Sequence, residues 1–132
     1  MKPGIRSEQT FTVTEAQLAK NVGSGEVNVL ATPMMIAAIE QTASESVKPY
    51  LEDGQTSVGI SLNVTHSAAT PLGMDFRVVT ELTEISANGR ILTFSVSAYD
   101  QCDQISEGTH QRAIVAKERF EARTLAKLKP SS

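Results

Sequence analysis

The chain has no tryptophan, a single cysteine, two histidines, and no wholly apolar run longer than the six residues from Met34 to Ile39. A helix needs about 20 apolar residues to cross a bilayer, so no transmembrane segment is expected. The N-terminal MKPGIRSEQ has no apolar core of the signal-peptide kind, and the expected location is cytoplasmic. Cys102 alone cannot form an intrachain disulfide, and in DQCDQ it has no neighbouring histidine or cationic cluster to favour a thiolate. Neither His66 nor His110 has a cysteine or carboxylate at ligand spacing, so no metal site is suggested. Positive charge is also in short supply. Twelve Lys and Arg against fifteen Asp and Glu give a net charge of −3, which argues against a nucleic-acid binder. Lys117, Arg119, Arg123, Lys127 and Lys129 gather near the C-terminus, a cluster that could meet a phosphorylated ligand but reads first as a solvated face.

What is present is an ordinary globular composition, 40% hydrophobic and 20% charged, in a length that suits one domain over residues 1–132. One stretch stands out. Thr32 to Leu51, TPMMIAAIEQTASESVKPYL, reads as the single long helix, with Thr32 as N-cap and Pro33 at the first helical position. At ~100° per residue, Met35, Ile36, Ile39, Ala43, Val47, Tyr50 and Leu51 fall on one arc, and Gln41, Glu45 and Lys48 fall opposite. Glu40 lies inside the apolar arc. A carboxylate aimed at the core needs a partner, a proton or a chemical task.

Around the helix the period changes to two. Residues 8–14, with Phe11 and Val13 among threonines, form the first expected strand. Residues 16–31, AQLAKNVGSGEVNVLA, mix a possible helical turn with Gly23, Ser24 and Gly25 and read as a mobile loop over the helix N-terminus. Val58, Ile60, Leu62 and Val64 alternate through Ser57 to His66, which places His66 in phase with the apolar set. Phe76, Val78, Thr80 and Leu82 share a face of the next strand, 76–85. Asn88-Gly89 then marks a hairpin into 90–99, where Leu92, Phe94, Val96 and Ala98 share a face. A last strand is expected from Ser106 to Phe120, with a frayed tail over 121–132. The opposite sheet face carries Val79, Ile85, Ile91 and Tyr99 among polar residues. The sum is an α+β chain: a curved antiparallel sheet of about five strands, mostly a meander, wrapped around one long helix, with dimerisation covering further surface.

Thr32, Glu40 and His66 together offer a hydroxyl, a carboxylate and an imidazole near a helix N-terminus, a combination suited to acyl transfer or hydrolysis. Each residue also has a plain structural role open to it: a cap, a bonded buried carboxylate, a satisfied histidine at a strand end.

The segments ATPMMIAAIE (31–40), KPYLEDGQTSVG (48–59), VTHSAATP (64–71) and SEGTHQRAIV (106–115) resemble the hotdog-fold acyl-CoA thioesterases, and among them the fluoroacetyl-CoA thioesterase group. The resemblance implies a hotdog subunit in a homodimer or higher oligomer. It places the active site near the dimer interface, with coenzyme A entering over the helix N-terminus as part of the substrate and no separate cofactor. It puts the catalytic threonine, glutamate and histidine on Thr32, Glu40 and His66, the site glycine on Gly59, and a substrate-binding arginine on Arg112. In the fluoroacetyl-specific enzymes the loop before the helix brings a phenylalanine-bearing lid. Residues 20–31 here are shorter and contain no aromatic, so fluoroacetyl specificity does not carry over. Two other readings accompany hydrolysis: a non-catalytic acyl-CoA or small-acyl binding module, and a hotdog hydratase. The hydratase would need an HxD pairing, whereas His66 is followed by Ser67 and Ala68.

Overall fold

The structure, a computed structural model, describes residues 1–129. Pro130, Ser131 and Ser132, the end of the expected tail, lie outside the described residues. Strand β1 (Arg6–Thr12) leads through a 3-10 turn at Glu15–Gln17 into the single-turn α1 (Ala19–Val22). Residues 16–31 are therefore more tied down than a mobile loop. Leu18 bridges to Leu30 and Val29 to Pro71, and Leu18, Ala19, Leu30 and Ala31 are buried. Their apolar side chains close the end of the core beside the long helix.

That helix, α2 (Thr32–Val47), is followed by a 3-10 turn at Lys48–Tyr50, so it stops short of the expected Leu51. Pro49 supplies no N–H and disfavours the α conformation of the residue before it. The N-cap is extended Ala31, not Thr32, and Pro33 stands second in the helix. Tyr50, past the helix end, is exposed, while Met35, Ala38, Ile39, Thr42, Ala43 and Val47 form the buried stripe. Thr42 is satisfied there by the Ala38 carbonyl at 2.9 Å and by Gln9 Oε1 at 2.9 Å, a bond that ties α2 to β1.

Strands β2 (Gln55–Val64), β3 (Asp75–Ile85), β4 (Ile91–Asp100) and β5 (Gln104–Ala116) complete one antiparallel sheet in the order β1-β3-β4-β5-β2. The central β3-β4-β5 is a meander, with β1 and β2 as the two edges. The alternation expected of β3 and β4 holds: Phe76, Val78, Leu82, Leu92, Phe94, Val96 and Ala98 are buried against α2. Thr80, in the same row, is buried too. Truncating either phenylalanine to alanine should cost about 3–5 kcal/mol.

Two expectations fail for one reason, a β-bulge. In β2 the register slips between Gly59 and Ser61, so Ile60 is an extra residue and is 49% exposed. Leu62 and Val64 pack on the core while Val58 does not, because the bulge reverses the phase. A second slip, between Leu82 and Glu84, turns Ile85 toward the core instead of the outer face. The last strand ends at Ala116, and Lys117–Leu125 forms a helix, α3, where strand and then frayed tail were expected. KERFEARTL is rich in strong helix formers, with Glu118 in the first turn. Among the described residues no helix is long and apolar enough to cross a membrane.

Candidate active site

Because Ala31 occupies the cap position, the Thr32 side chain is free of capping and turns outward. Its hydroxyl meets His66 Nδ1 at 2.6 Å. His66 lies two residues past the end of β2, in a segment anchored by Thr65 N–H to the Glu107 carbonyl (3.0 Å) and Ser67 N–H to the Ile105 carbonyl (2.9 Å). Burial pushes His66 below its ordinary histidine value, which favours a neutral ring able to accept the threonine hydroxyl hydrogen. Its other nitrogen, Nε2, is buried and has no partner among the described residues. Pro33 lacks an N–H, and those of Met34 and Met35 return to the Ala31 carbonyl at 3.0 Å. At this helix start the Thr32 N–H is therefore the donor left to a ligand. A cavity of about 320 Å³ opens beside the pair, with Val27, Val29, Leu30 and Ala68 in its wall and no aromatic side chain.

Glu40 occupies a different place. It lies eight residues beyond Thr32, about 12 Å along the helix axis, and its side chain is 44% exposed. The expectation of a buried carboxylate is corrected to that extent: Glu40 does face the sheet, but α2 reaches β2 only at its margin. Its Oε2 stands 3.6 Å from NH1 of Arg112, which is 6% exposed. Gly59 makes room for it. A Cβ at Gly59 would come within 2.5 Å of Glu40 Oε2, 3.3 Å of His110 Cε1 and 3.5 Å of Arg112 NH1.

Arg112 is held from several sides. Its Nε donates to Ser57 Oγ at 2.8 Å, its NH2 to the Ser57 carbonyl at 3.0 Å, and its NH1 lies 3.2 Å from His110 Nε2. Burial lowers its guanidinium, partly offset by Glu40. His110 and Ser57 are the site residues that sequence reasoning missed. The available signal was the i, i+2 spacing of His110 and Arg112 on one strand, which puts both on one face.

Within one chain, then, the sequence-predicted residues form two groups. Thr32 pairs with His66; Glu40, Gly59 and Arg112 assemble two helical turns away. The basic C-terminal residues belong to neither. Arg119 and Arg123 line, with Arg90 and Phe120, a separate cavity of about 170 Å³ at the β5–α3 junction. Among the described residues no three His, Cys, Asp or Glu side chains come together as metal ligands.

Comparison with known proteins gives this geometry its context. The sequence profile of the fluoroacetyl-CoA-specific thioesterase family, FlK, matches residues 13–118. The fluoroacetyl-CoA thioesterase of Streptantibioticus cattleyicolor is 42% identical over 99 residues, 75% of this chain and 70% of that protein. A crystal structure of a threonine-to-serine variant of FlK in complex with acetyl-CoA superposes with a TM-score of 0.91 at 33% identity, covering 98% of this chain and all of that one. A hot-dog-like protein from Thermanaerovibrio acidaminovorans, 20% identical, superposes with a TM-score of 0.88 over 99% of this chain and 96% of its own, and supports the fold alone. The chain is a hotdog-fold protein and belongs to the fluoroacetyl-CoA-specific thioesterase family of thioester hydrolases.

Proposed function

We propose that the protein hydrolyses a small acyl-CoA thioester to free acid and coenzyme A, as a homodimer whose active sites each draw on both chains. The observation that carries this is the 2.6 Å Thr32–His66 pair at the mouth of an aliphatic cavity at the start of α2. A thioester carbonyl seated there meets the Thr32 N–H, and that donor stabilises the oxygen as it gains charge. Glu40 is the carboxylate assigned to water. It takes a proton from the attacking water as the new C–O bond forms; the C–S bond then breaks, and coenzyme A departs as a thiolate that needs little protonation. His66 orients Thr32, and its buried Nε2 has no partner among the described residues. Direct attack by Glu40 on the carbonyl, with water entering in a second step, uses the same residues. No metal or further cofactor enters this scheme.

The 12 Å of helix between Thr32 and Glu40 supports the dimer. So does β2, which forms one edge of the sheet and in a single chain presents an open row of backbone donors and acceptors. A second copy covering that edge brings Glu40 of one protomer to the Thr32–His66 pair of its partner. The S. cattleyicolor relative is a fluoroacetyl-CoA thioesterase. The cavity here is walled mainly by valine, leucine and alanine, with Ser24 and Ser67, and holds no Phe, Tyr or Trp, so we assign it a broader range of short acyl groups. A cytoplasmic location goes with a coenzyme A thioester as substrate.

The test is thiol release from a panel of acyl-CoAs by wild type, Glu40→Ala and His66→Ala. Wild type should cleave at least one short acyl-CoA far faster than either variant. Equal rates for wild type and Glu40→Ala on every thioester would sink the proposal and leave a binding module.

A further inference from the structure

We propose that His110 is a positioning residue whose neutral ring, with its proton on Nδ1, fixes the Arg112 guanidinium against Glu40. The proposal rests on Glu40 as the carboxylate that acts on water. It begins with an asymmetry of donors. Arginine has only N–H groups to offer, so the His110 Nε2 that faces Arg112 NH1 at 3.2 Å must present its lone pair. The ring hydrogen then sits on Nδ1, 2.8 Å from the Ser61 carbonyl, where a donor is required. One tautomer satisfies both contacts, and the other leaves two donors facing each other and a lone pair facing a carbonyl.

The ring is in no position to adjust. It is 1% exposed and stacks on Phe94 with centroids 6.2 Å apart and planes inclined by 28°. The Ser61 carbonyl it holds follows directly on the Ile60 bulge, and Gly59 precedes that bulge. His110 thus ties the bulged strand to the arginine.

Planarity does the rest. With Nε on Ser57 Oγ, NH2 on the Ser57 carbonyl and one NH1 hydrogen on His110, the guanidinium is fixed in plane and tilt. The remaining NH1 hydrogen has one direction left, toward Glu40 Oε2 at 3.6 Å. A glutamate with a 44% exposed side chain would otherwise sample several rotamers, and the orientation of a reacting carboxylate is worth large factors in rate. The charged groups facing His110 are Arg112 on its own strand and Glu40 on α2. Burial and Arg112 both press the ring toward neutrality, against the opposing pull of Ser61 and Glu40. A protonated ring would lose the lone pair that Arg112 uses and set two cations side by side.

Long-range ¹H–¹⁵N NMR on the labelled full-length protein reads the tautomer directly. The expected result is a protonated Nδ1 and an unprotonated Nε2 on His110 at pH 7.5. A proton on Nε2, or a fully protonated ring at that pH, overturns the proposal. This readout needs no turnover, so it stands apart from the thioesterase reading, which fails if wild type cleaves no thioester faster than Glu40→Ala does. The kinetic arm compares His110→Leu with His110→Gln, whose amide can both accept from Arg112 and donate to Ser61. Leucine should lower kcat about tenfold or more with KM within about twofold, and glutamine should restore most of the loss. Wild-type kcat in a folded His110→Leu, or equal losses in both folded variants, overturns the assignment. If the leucine variant does not fold, the tautomer and the glutamine variant, which must then keep most of the wild-type kcat, decide.

Discussion

At the start of α2 a hydroxyl and an imidazole share one hydrogen bond beside an open cavity. Two turns further along, a half-exposed carboxylate leans on an arginine that is itself bonded to a serine side chain, a serine carbonyl and a buried histidine. The first group is accessible and sparsely bonded; the second is built inward, ring on ring and fork on carbonyl. The contrast separates two tasks. A site that must admit and release a ligand keeps unspent donors, here the Thr32 N–H and His66 Nε2. A group that must be aimed is held by neighbours that cannot move.

Breaking the aimed half should have the largest effect. Glu40→Gln keeps the shape and removes the carboxylate proposed to act on water, and kcat should fall by about 10³. Thermal stability should fall only modestly, since the side chain is half-exposed; an unfolded variant would mean that the carboxylate is structural. Breaking the open half should cost less. His66→Ala should lower kcat by about 10², and loss of coenzyme A affinity alone, with kcat intact, would remove His66 from the chemistry.

Gly59→Ala tests the boundary between the halves. Its new Cβ meets the far end of a flexible glutamate and, at 3.3 Å, the fixed His110 ring, but no backbone. The carboxylate should swing outward at a modest cost in stability, with kcat down about tenfold. Gly108 is a useful contrast: it sits at φ 155°, and a Cβ there would come within 2.0 Å of the Asn63 carbonyl. Gly108→Ala should therefore destabilise the fold without acting on the carboxylate.

The smallest effect is in pH. Burial holds His66 and His110 below the ordinary value of 6.5, so the unfolded chain takes up protons first as the medium is acidified. Stability from these groups is complete above about pH 6.5 and declines as pH falls below it. Denaturant titrations of wild type and His66→Ala between pH 7.5 and 5 would divide the decline between the two histidines. Stability that rises on acidification through that range would contradict their burial as neutral rings.

Much of this contrast was visible in the residues themselves. The apolar stripe of α2, the alternation in β3 and β4 and the Asn88-Gly89 turn are patterns of side chains, and side-chain burial is what enforces them. The bulges at Ile60 and after Leu82 are not written that way, because a bulge inserts one residue whose polarity need not differ. Phase was therefore lost at Val58, Ile60 and Ile85. Threonine prefers the cap position, so local pattern assigns Thr32 there, yet its bond to His66 is a tertiary contact that no local rule registers. His110 escapes local rules for a similar reason: the carbonyl its ring holds, that of Ser61, lies 49 residues away in sequence. In α3, KERFEARTL has helix propensity and no period-two pattern, and it is its place directly after β5 that suggests a strand end and a loose tail.

The most direct measurement is a hybrid dimer. Glu40→Ala and His66→Ala chains carrying different affinity tags are co-expressed, and dimers bearing both tags are isolated and assayed for thiol release. If each site takes Glu40 from one chain and Thr32 with His66 from the other, one site of the two carries both lesions and the other is intact. The hybrid should then recover about half of wild-type activity, though each parent is nearly inactive. A hybrid no more active than its parents would contradict the shared site and return all three residues to a single chain.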